Sequence, residues 1–255
     1  MSGFEKHGLK HTSPSALNMW ADCAGAWAAR YLYNKKLSFG VAPQIGMLVE
    51  QVCAQVLTKT MDFDYALKLA HDKFNKDNAL NTSAKDRERI SDIEAMATLA
   101  IKELEPYGVP HFDNCVVNGR KQQKVELLCK GDGWELPVIG FLDFVYPDQG
   151  LVIDLKTTLR MPSTMSEAHK RQAAIYKRAM GNHHTRFLYV TPKKSQFHDL
   201  EDEKPILENV KQILNRQEKM LALHDKETLR QILPVNTSSF YWNGCENVSK
   251  ELYGL

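Results

Sequence analysis

Apolar residues recur every three to four positions through roughly the first hundred residues, and the period then changes. In "TSPSALNMWADCAGAWAARYLY", Leu17, Trp20, Ala24, Trp27 and Tyr31 form one helical stripe. Ser13 or Ser15 stands ready to cap it, with Pro14 at a first-turn position. "APQIGMLVEQVCAQVL" predicts a second helix over 45–57, with Glu50 in its body. Phe63, Leu67, Ala70 and Phe74 make a third stripe. Ile90, Ile93, Ala97, Ala100 and Leu104 make a fourth, which ends before Pro106 and Gly108. Short β-branched and aromatic runs follow: "KVELLCK", "PVIGFLDFVY" and "GLVIDLKTT". The turn residues of "KGDGWEL" and "PDQG" separate them. They predict a three-strand antiparallel meander. "SEAHKRQAAIYKRAMG" predicts a helix stopped by Gly181, "TRFLYVTP" a further strand, and "PILENVKQILNRQEKMLALH" a long amphipathic helix.

The fold class expected from this order is α/β: a mixed central sheet flanked by helices, behind a helical N-terminal part. No Gly-, Pro- or Ser-rich linker divides the chain. We expect one domain over 1–255, mainly helical over 1–108, with a sheet and its helix over 120–195 and C-terminal helices and tail over 203–255.

Composition narrows the class only a little. The 255 residues are 43% hydrophobic and 25% charged, with 33 basic against 31 acidic side chains, so the global balance excludes no partner. Its distribution is more informative. Between Lys156 and Lys194 stand nine Lys or Arg, three His and a single acid, Glu167. Such a face neutralises phosphates, or is simply a solvated helix surface. Five scattered cysteines (23, 53, 115, 129, 245) without a CxxC pair, and no signal peptide, predict free thiols in a reducing cytoplasm. No apolar run approaches the ~20 residues of a membrane span.

The candidate chemistry lies in the meander. In "VIDLK", Asp154 and Lys156 point to one face of a strand and Leu155 to the other. In "GFLDF", Asp143 interrupts another apolar run. If the two strands are hairpin neighbours through "PDQG", the two carboxylates come close. They then repel and resist ionising together, a conflict that a hard divalent cation resolves. The lysine cannot bind a cation. It can hold a water or stabilise charge developing on a phosphate. Taken alone, the Asp-x-Lys triplet reads as an ion pair at a strand end; Asp143 at a neighbouring position is what shifts the reading.

The ordered set "GFLDF … VIDLKTT … RQAAIY" resembles the core of the PD-(D/E)XK nuclease superfamily, and specifically its RecB-like branch. That branch includes bacterial recombination nucleases, CRISPR adaptation nucleases and phage exonucleases. "SPSALNMWADCAGAWAARY" is similar to the opening helix of that branch. The resemblance implies a restriction-endonuclease-like core that binds Mg²⁺ or Mn²⁺. Asp143, Asp154 and the Leu155 backbone carbonyl would be metal ligands. Lys156 would orient the water and stabilise the transition state. Gln172 and Tyr176, four apart on one helix face, would position the phosphate or the water. Where the branch usually places a His in the second helix, this chain has Glu50, a further candidate ligand. Glu126 is a candidate for the same neighbourhood.

Some relatives hold an iron–sulfur cluster with one Cys after the opening helix and three near the C-terminus. Only Cys23 and Cys245 match here, and two thiolates do not hold a cluster that needs four, so none is expected. Ser13, Ser15, Arg160, Lys170 and Arg171 are candidate DNA contacts, as are Lys177 and Arg178. His183 and His184 are a possible metal pair or a solvated loop. Trp20 and Trp27 read as core or, for one of them, as a stacking platform for an unpaired base.

The resulting expectation is a divalent-metal-dependent deoxyribonuclease, an exonuclease acting from DNA ends in phage or mobile-element replication and recombination. A strand-annealing or single-strand-binding protein is the partner it would suit. Two alternatives are an endonuclease on the same core and a non-catalytic nucleic-acid-binding subunit. Strand polarity, single- or double-strand preference and oligomeric state are not encoded legibly.

Overall fold

The computed structural model describes residues 2–37, 40–112, 115–117, 120–127, 136–181 and 183–255. A single turn, α1 (Gly3–Lys6), is closed by a capping box between Ser2 and Glu5. The opening stripe then forms two helices, α2 (Pro14–Asp22) and α3 (Ala24–Tyr31). Ser13 caps α2, its Oγ accepting the Ala16 N–H at 3.1 Å. The single helix expected here breaks at Cys23, which is extended at φ −150° and ψ 89°. The cause lies at the far end of the chain. The Gly25 N–H, an orphan donor in the first turn of α3, donates to the Pro234 carbonyl at 3.0 Å. A Cβ on Gly25 would stand 2.7 Å from Val235 Cγ2, so only a glycine lets the two segments meet.

The next three stripes form α4 (Val41–Leu57), α5 (Phe63–Asp77) and α7 (Ile90–Leu104), with a short α6 (Ala84–Glu88) between the last two. Asp62 caps α5 by accepting the Tyr65 N–H at 2.8 Å. Strands β1 (Cys115–Val117), β2 (Arg120–Leu127) and β3 (Val138–Leu142) make an antiparallel sheet. β4 (Phe144–Tyr146), β5 (Leu151–Thr157), β6 (His184–Val190) and β7 (Ser195–Asp199) make a second, mixed sheet in that order. The β5–β6 pair is parallel and is crossed over by α8 (Glu167–Ala179), which Ser166 caps. α9 (Lys204–Leu223), α10 (Lys226–Ile232) and α11 (Glu246–Tyr253) complete the chain.

The architecture is therefore α/β with a mixed sheet, as expected, but the meander is corrected. Its middle strand is cut at Asp143 into β3 and β4, which belong to different sheets. Most of the expected turn at 130–136, and Cys129, lie outside the described residues.

Two apolar clusters flank the mixed sheet. Val152 of β5 faces one, built from α2, α3, α8, α9 and the C-terminal helices. Leu151, Ile153 and Leu155 face the other, built from α4, α5 and α7. Strict alternation along β5 thus commits Asp154 and Lys156 to the α8 side. Within the first cluster one polar residue stands out. Gln217 of α9 is fully buried, and neither amide atom has a hydrogen-bond partner among the described residues. Gln217→Leu is expected to raise the unfolding free energy by about 1–2 kcal/mol. Urea denaturation reads this directly, and a loss of stability would mean that the amide has a partner such as a buried water.

Candidate active site

The break at Asp143 is what builds the site. β4 and β5 form a hairpin through Pro147–Gln149 and Gly150, whose left-handed φ of 57° suits glycine. The register Phe144↔Ile153 places Asp143 opposite Asp154. Because the chain leaves the sheet at Asp143, the edge of β5 beyond Ile153 loses its neighbour on that side. The side chain of Asp143 fills the gap, its Oδ2 accepting the Leu155 N–H at 2.9 Å. A strand residue turns its N–H and C=O to the same side. The Leu155 carbonyl therefore faces the same open edge as Asp143.

On the α8 side a chain of hydrogen bonds leads to Asp154. The Tyr176 hydroxyl donates to the Phe141 carbonyl at 2.9 Å. Gln172 Nε2 donates to the Tyr176 oxygen at 2.9 Å and to Asp154 Oδ1 at 3.1 Å. Burial, and then the charge of Asp154, push the Tyr176 phenol far above its ordinary pKa, so it is a neutral donor. Gly140 makes room for this ring, since a Cβ there would lie 2.4 Å from Tyr176 Cε1 and 3.3 Å from Val125 Cγ2. Gly140→Ala must displace the ring and unseat Gln172. We expect a loss of about 1–3 kcal/mol in stability and a drop in activity beyond what the stability change explains. Urea unfolding beside an activity assay checks this, and wild-type values for both would show that the ring has room to shift.

The third element is α4. At Gly46 the helix meets β5 closely, where a Cβ would be 3.0 Å from Thr157 Oγ1. Glu50 lies one turn further on and is buried. Its Oε1 accepts from Gln122 Nε2 at 2.7 Å, and the same nitrogen donates to Asp143 Oδ1 at 3.0 Å. Gln122 was not anticipated. Its only signal is the register of β2 against β3, where Gln123↔Leu142 sets Gln122 across from Asp143.

Asp154 is 1% exposed. Burial raises its pKa most, Lys156 lowers it, and Asp143 raises it again, leaving the carboxyl at about 7. Its Oδ2 is ion-paired with Lys156 Nζ but lacks a well-directed hydrogen bond. Lys156 Nζ also lies 5.1 Å from the centre of the Phe187 ring, so the ammonium is clamped between a carboxylate and an aromatic face. His169 stands nearby, its Nδ1 2.6 Å from the Tyr189 hydroxyl. Burial and the charge of Lys156 push its pKa down to about 4, so the ring is neutral near pH 7.

The donor set suits a hard divalent cation: carboxylate oxygens of Asp143 and Asp154, the Leu155 carbonyl, and Glu50 close by. Burial and the neighbouring Asp143 keep the Asp154 pKa raised even with Lys156 paired to it, so a further positive charge would stabilise this carboxylate. Among the described residues, no three His, Cys, Asp or Glu side chains are gathered as a closed metal-binding group. The Gln122 amide stands between Glu50 and Asp143 instead.

Most of the remaining candidates have local partners. Glu126 is exposed and lies 4.0 Å from Lys124, away from the carboxylates. Ser13 caps α2 and lies 3.0 Å from the Ser15 hydroxyl. Arg171 Nε donates to Asn18 Oδ1 at 2.7 Å, which ties α8 to α2, while Lys170 pairs with Glu167 at 2.7 Å. Arg160 is exposed at the turn after β5. Lys177 pairs with Glu203 at 2.8 Å. His183 Nδ1 is 2.9 Å from the Met180 carbonyl and His184 Nε2 is 2.9 Å from Asp199, so the two rings are held by different groups. Trp27 is core and Trp20 packs edge-on against it at 4.8 Å. Cys23 and Cys245 are buried in the same apolar cluster.

Among known proteins, the chain matches a family model described as the PD-(D/E)XK nuclease superfamily over residues 11–245. No curated protein matches it. A solved structure titled "Crystal structure of SSO0001" is similar at a TM-score of 0.31 and 14% identity, over 67% of this chain and 75% of that one.

Proposed function

The chain belongs to the PD-(D/E)XK nuclease superfamily, and from that premise we propose that it is a divalent-metal-dependent deoxyribonuclease of the RecB-like branch that degrades DNA from its ends. The observation that carries the reading is the meeting of Asp143, Asp154 and Lys156 at one open sheet edge, backed by Gln172 and Tyr176. Asp143, Asp154 and the Leu155 carbonyl would hold Mg²⁺ or Mn²⁺, with Glu50 as a further ligand. When bound, the ion would supply Lewis acidity at the phosphate and make water a better nucleophile.

The side chains do the rest. Gln172 and Tyr176 fix the Asp154 carboxylate in one orientation. Lys156 guides the water and stabilises negative charge on the phosphate as the water oxygen adds to phosphorus and one P–O ester bond breaks. The attacking water releases a proton to solvent, and the ester oxygen leaves with a proton taken from solvent. Ser13, Ser15, Arg160, Lys170 and Arg171 contact the DNA backbone. Processing of phage or mobile-element DNA beside a strand-annealing or single-strand-binding protein fits such an enzyme.

End-labelled linear and closed circular DNA, single- and double-stranded, test the reading. Loss of linear substrate alone is expected. Cutting of circles would make the protein an endonuclease, and binding without cleavage of any substrate would make it a non-catalytic subunit.

A further inference from the structure

The Gln122 side chain is 4% exposed, yet it is a neutral amide placed among acids. Its single nitrogen donates to two carboxylates from distant parts of the chain, Glu50 on α4 and Asp143 at the strand break. Two carboxylates brought together repel, and each is most stable either protonated or beside a cation. An amide N–H₂ offers two partial positive charges and no net charge. It can hold the pair together without neutralising it. A lysine at this point would neutralise the acids and exclude a cation. An apolar residue would remove this hydrogen-bonded link between α4 and the strand break. The nitrogen lies 2.7 and 3.0 Å from the two oxygens, so one amide fixes the position of both carboxylates.

We propose that Gln122 is a positioning residue for the metal site: by donating to both Glu50 and Asp143 it holds the two acids in one arrangement, facing the same divalent cation. The proposal rests on the metal-dependent reading above. It differs from a purely structural bolt between α4 and β2, because a bolt would affect melting and not ion affinity.

The test is Mn²⁺ binding to the full chain, followed by titration calorimetry and by the loss of the free-ion electron paramagnetic resonance signal. Gln122→Met keeps the length and removes the donor, and is expected to weaken Mn²⁺ binding about tenfold. Glu50→Gln should weaken it similarly, and the double variant no more than Glu50→Gln alone, because the two act as one unit. Gln122→Asn keeps the amide but is too short to reach both acids, and it serves, with the same expected weakening, if Gln122→Met fails to fold. Wild-type affinity in Gln122→Met or in Gln122→Asn, or single effects that multiply in the double variant, would overturn the proposal. Asp154→Asn separates the two levels. If it abolishes Mn²⁺ binding while Gln122→Met does not change it, only the role of Gln122 falls. If wild type binds no Mn²⁺, the metal-dependent reading and this proposal fall together.

Discussion

Lys156→Met should slow DNA cleavage by about 10³-fold, the effect of removing one well-placed charge stabiliser from a transition state. The lysine is not a mobile surface cation. Its side chain is 22% exposed, paired with Asp154 and packed on the Phe187 ring. An ammonium held this way loses little entropy when a phosphate arrives, and in a partly desolvated site its charge acts through a lower dielectric than water. Methionine fills the same space against Phe187 without the charge, so packing is largely preserved. Single-turnover cleavage and DNA binding by fluorescence anisotropy check the prediction together. Binding should change only a few-fold. A variant that keeps more than a tenth of the wild-type rate would contradict the assignment.

The second large effect concerns stability and has the opposite sign to the loss of function. Asp154→Asn should inactivate the protein and yet, in EDTA, make it progressively more stable than wild type as the pH rises. The Asp154 carboxyl sits at about 7 in the folded chain, against ~3.9 for an unfolded aspartate. Between these values the folded state holds a proton that the unfolded state has released. The stability contributed by this group is therefore present at low pH, falls as pH rises from about 4, and levels off above about 7. Asparagine does not titrate. The stability difference between variant and wild type should be greater at pH 8 than at pH 5 by roughly 2–3 kcal/mol. Urea unfolding at the two pH values measures it, and the same difference at both would mean that Asp154 is not strained by its burial. Adding Mg²⁺ should shrink the gap at pH 8, because only wild type gains a counter-charge there.

Much of this site was legible in the chain because it depends on local periodicity. Asp154 and Lys156 share a face by strand alternation, Gln172 and Tyr176 share one by helical spacing, and the turn before Gly150 fixes the hairpin that sets Asp143 opposite Asp154. What escaped depends on contacts between distant segments. The apolar run from Val138 to Tyr146 resumes directly after Asp143, so it gives no sign that this residue divides two sheets. The helical stripe likewise runs across Cys23, and the break follows from Pro234 and Val235 pressing on Gly25. Gln122 becomes visible only once β2 is registered on β3. β7 is a polar edge strand in which Phe197 is the lone large apolar residue, so alternation is too weak to announce it.

The most direct test of the central claim is the initial rate of degradation of linear DNA by the wild-type chain with Mg²⁺ and with excess EDTA, beside Asp143→Asn under the same conditions. The account predicts cleavage that requires Mg²⁺ and is lost in the variant. Cleavage that persists in EDTA, or that Asp143→Asn leaves at the wild-type rate, would contradict it.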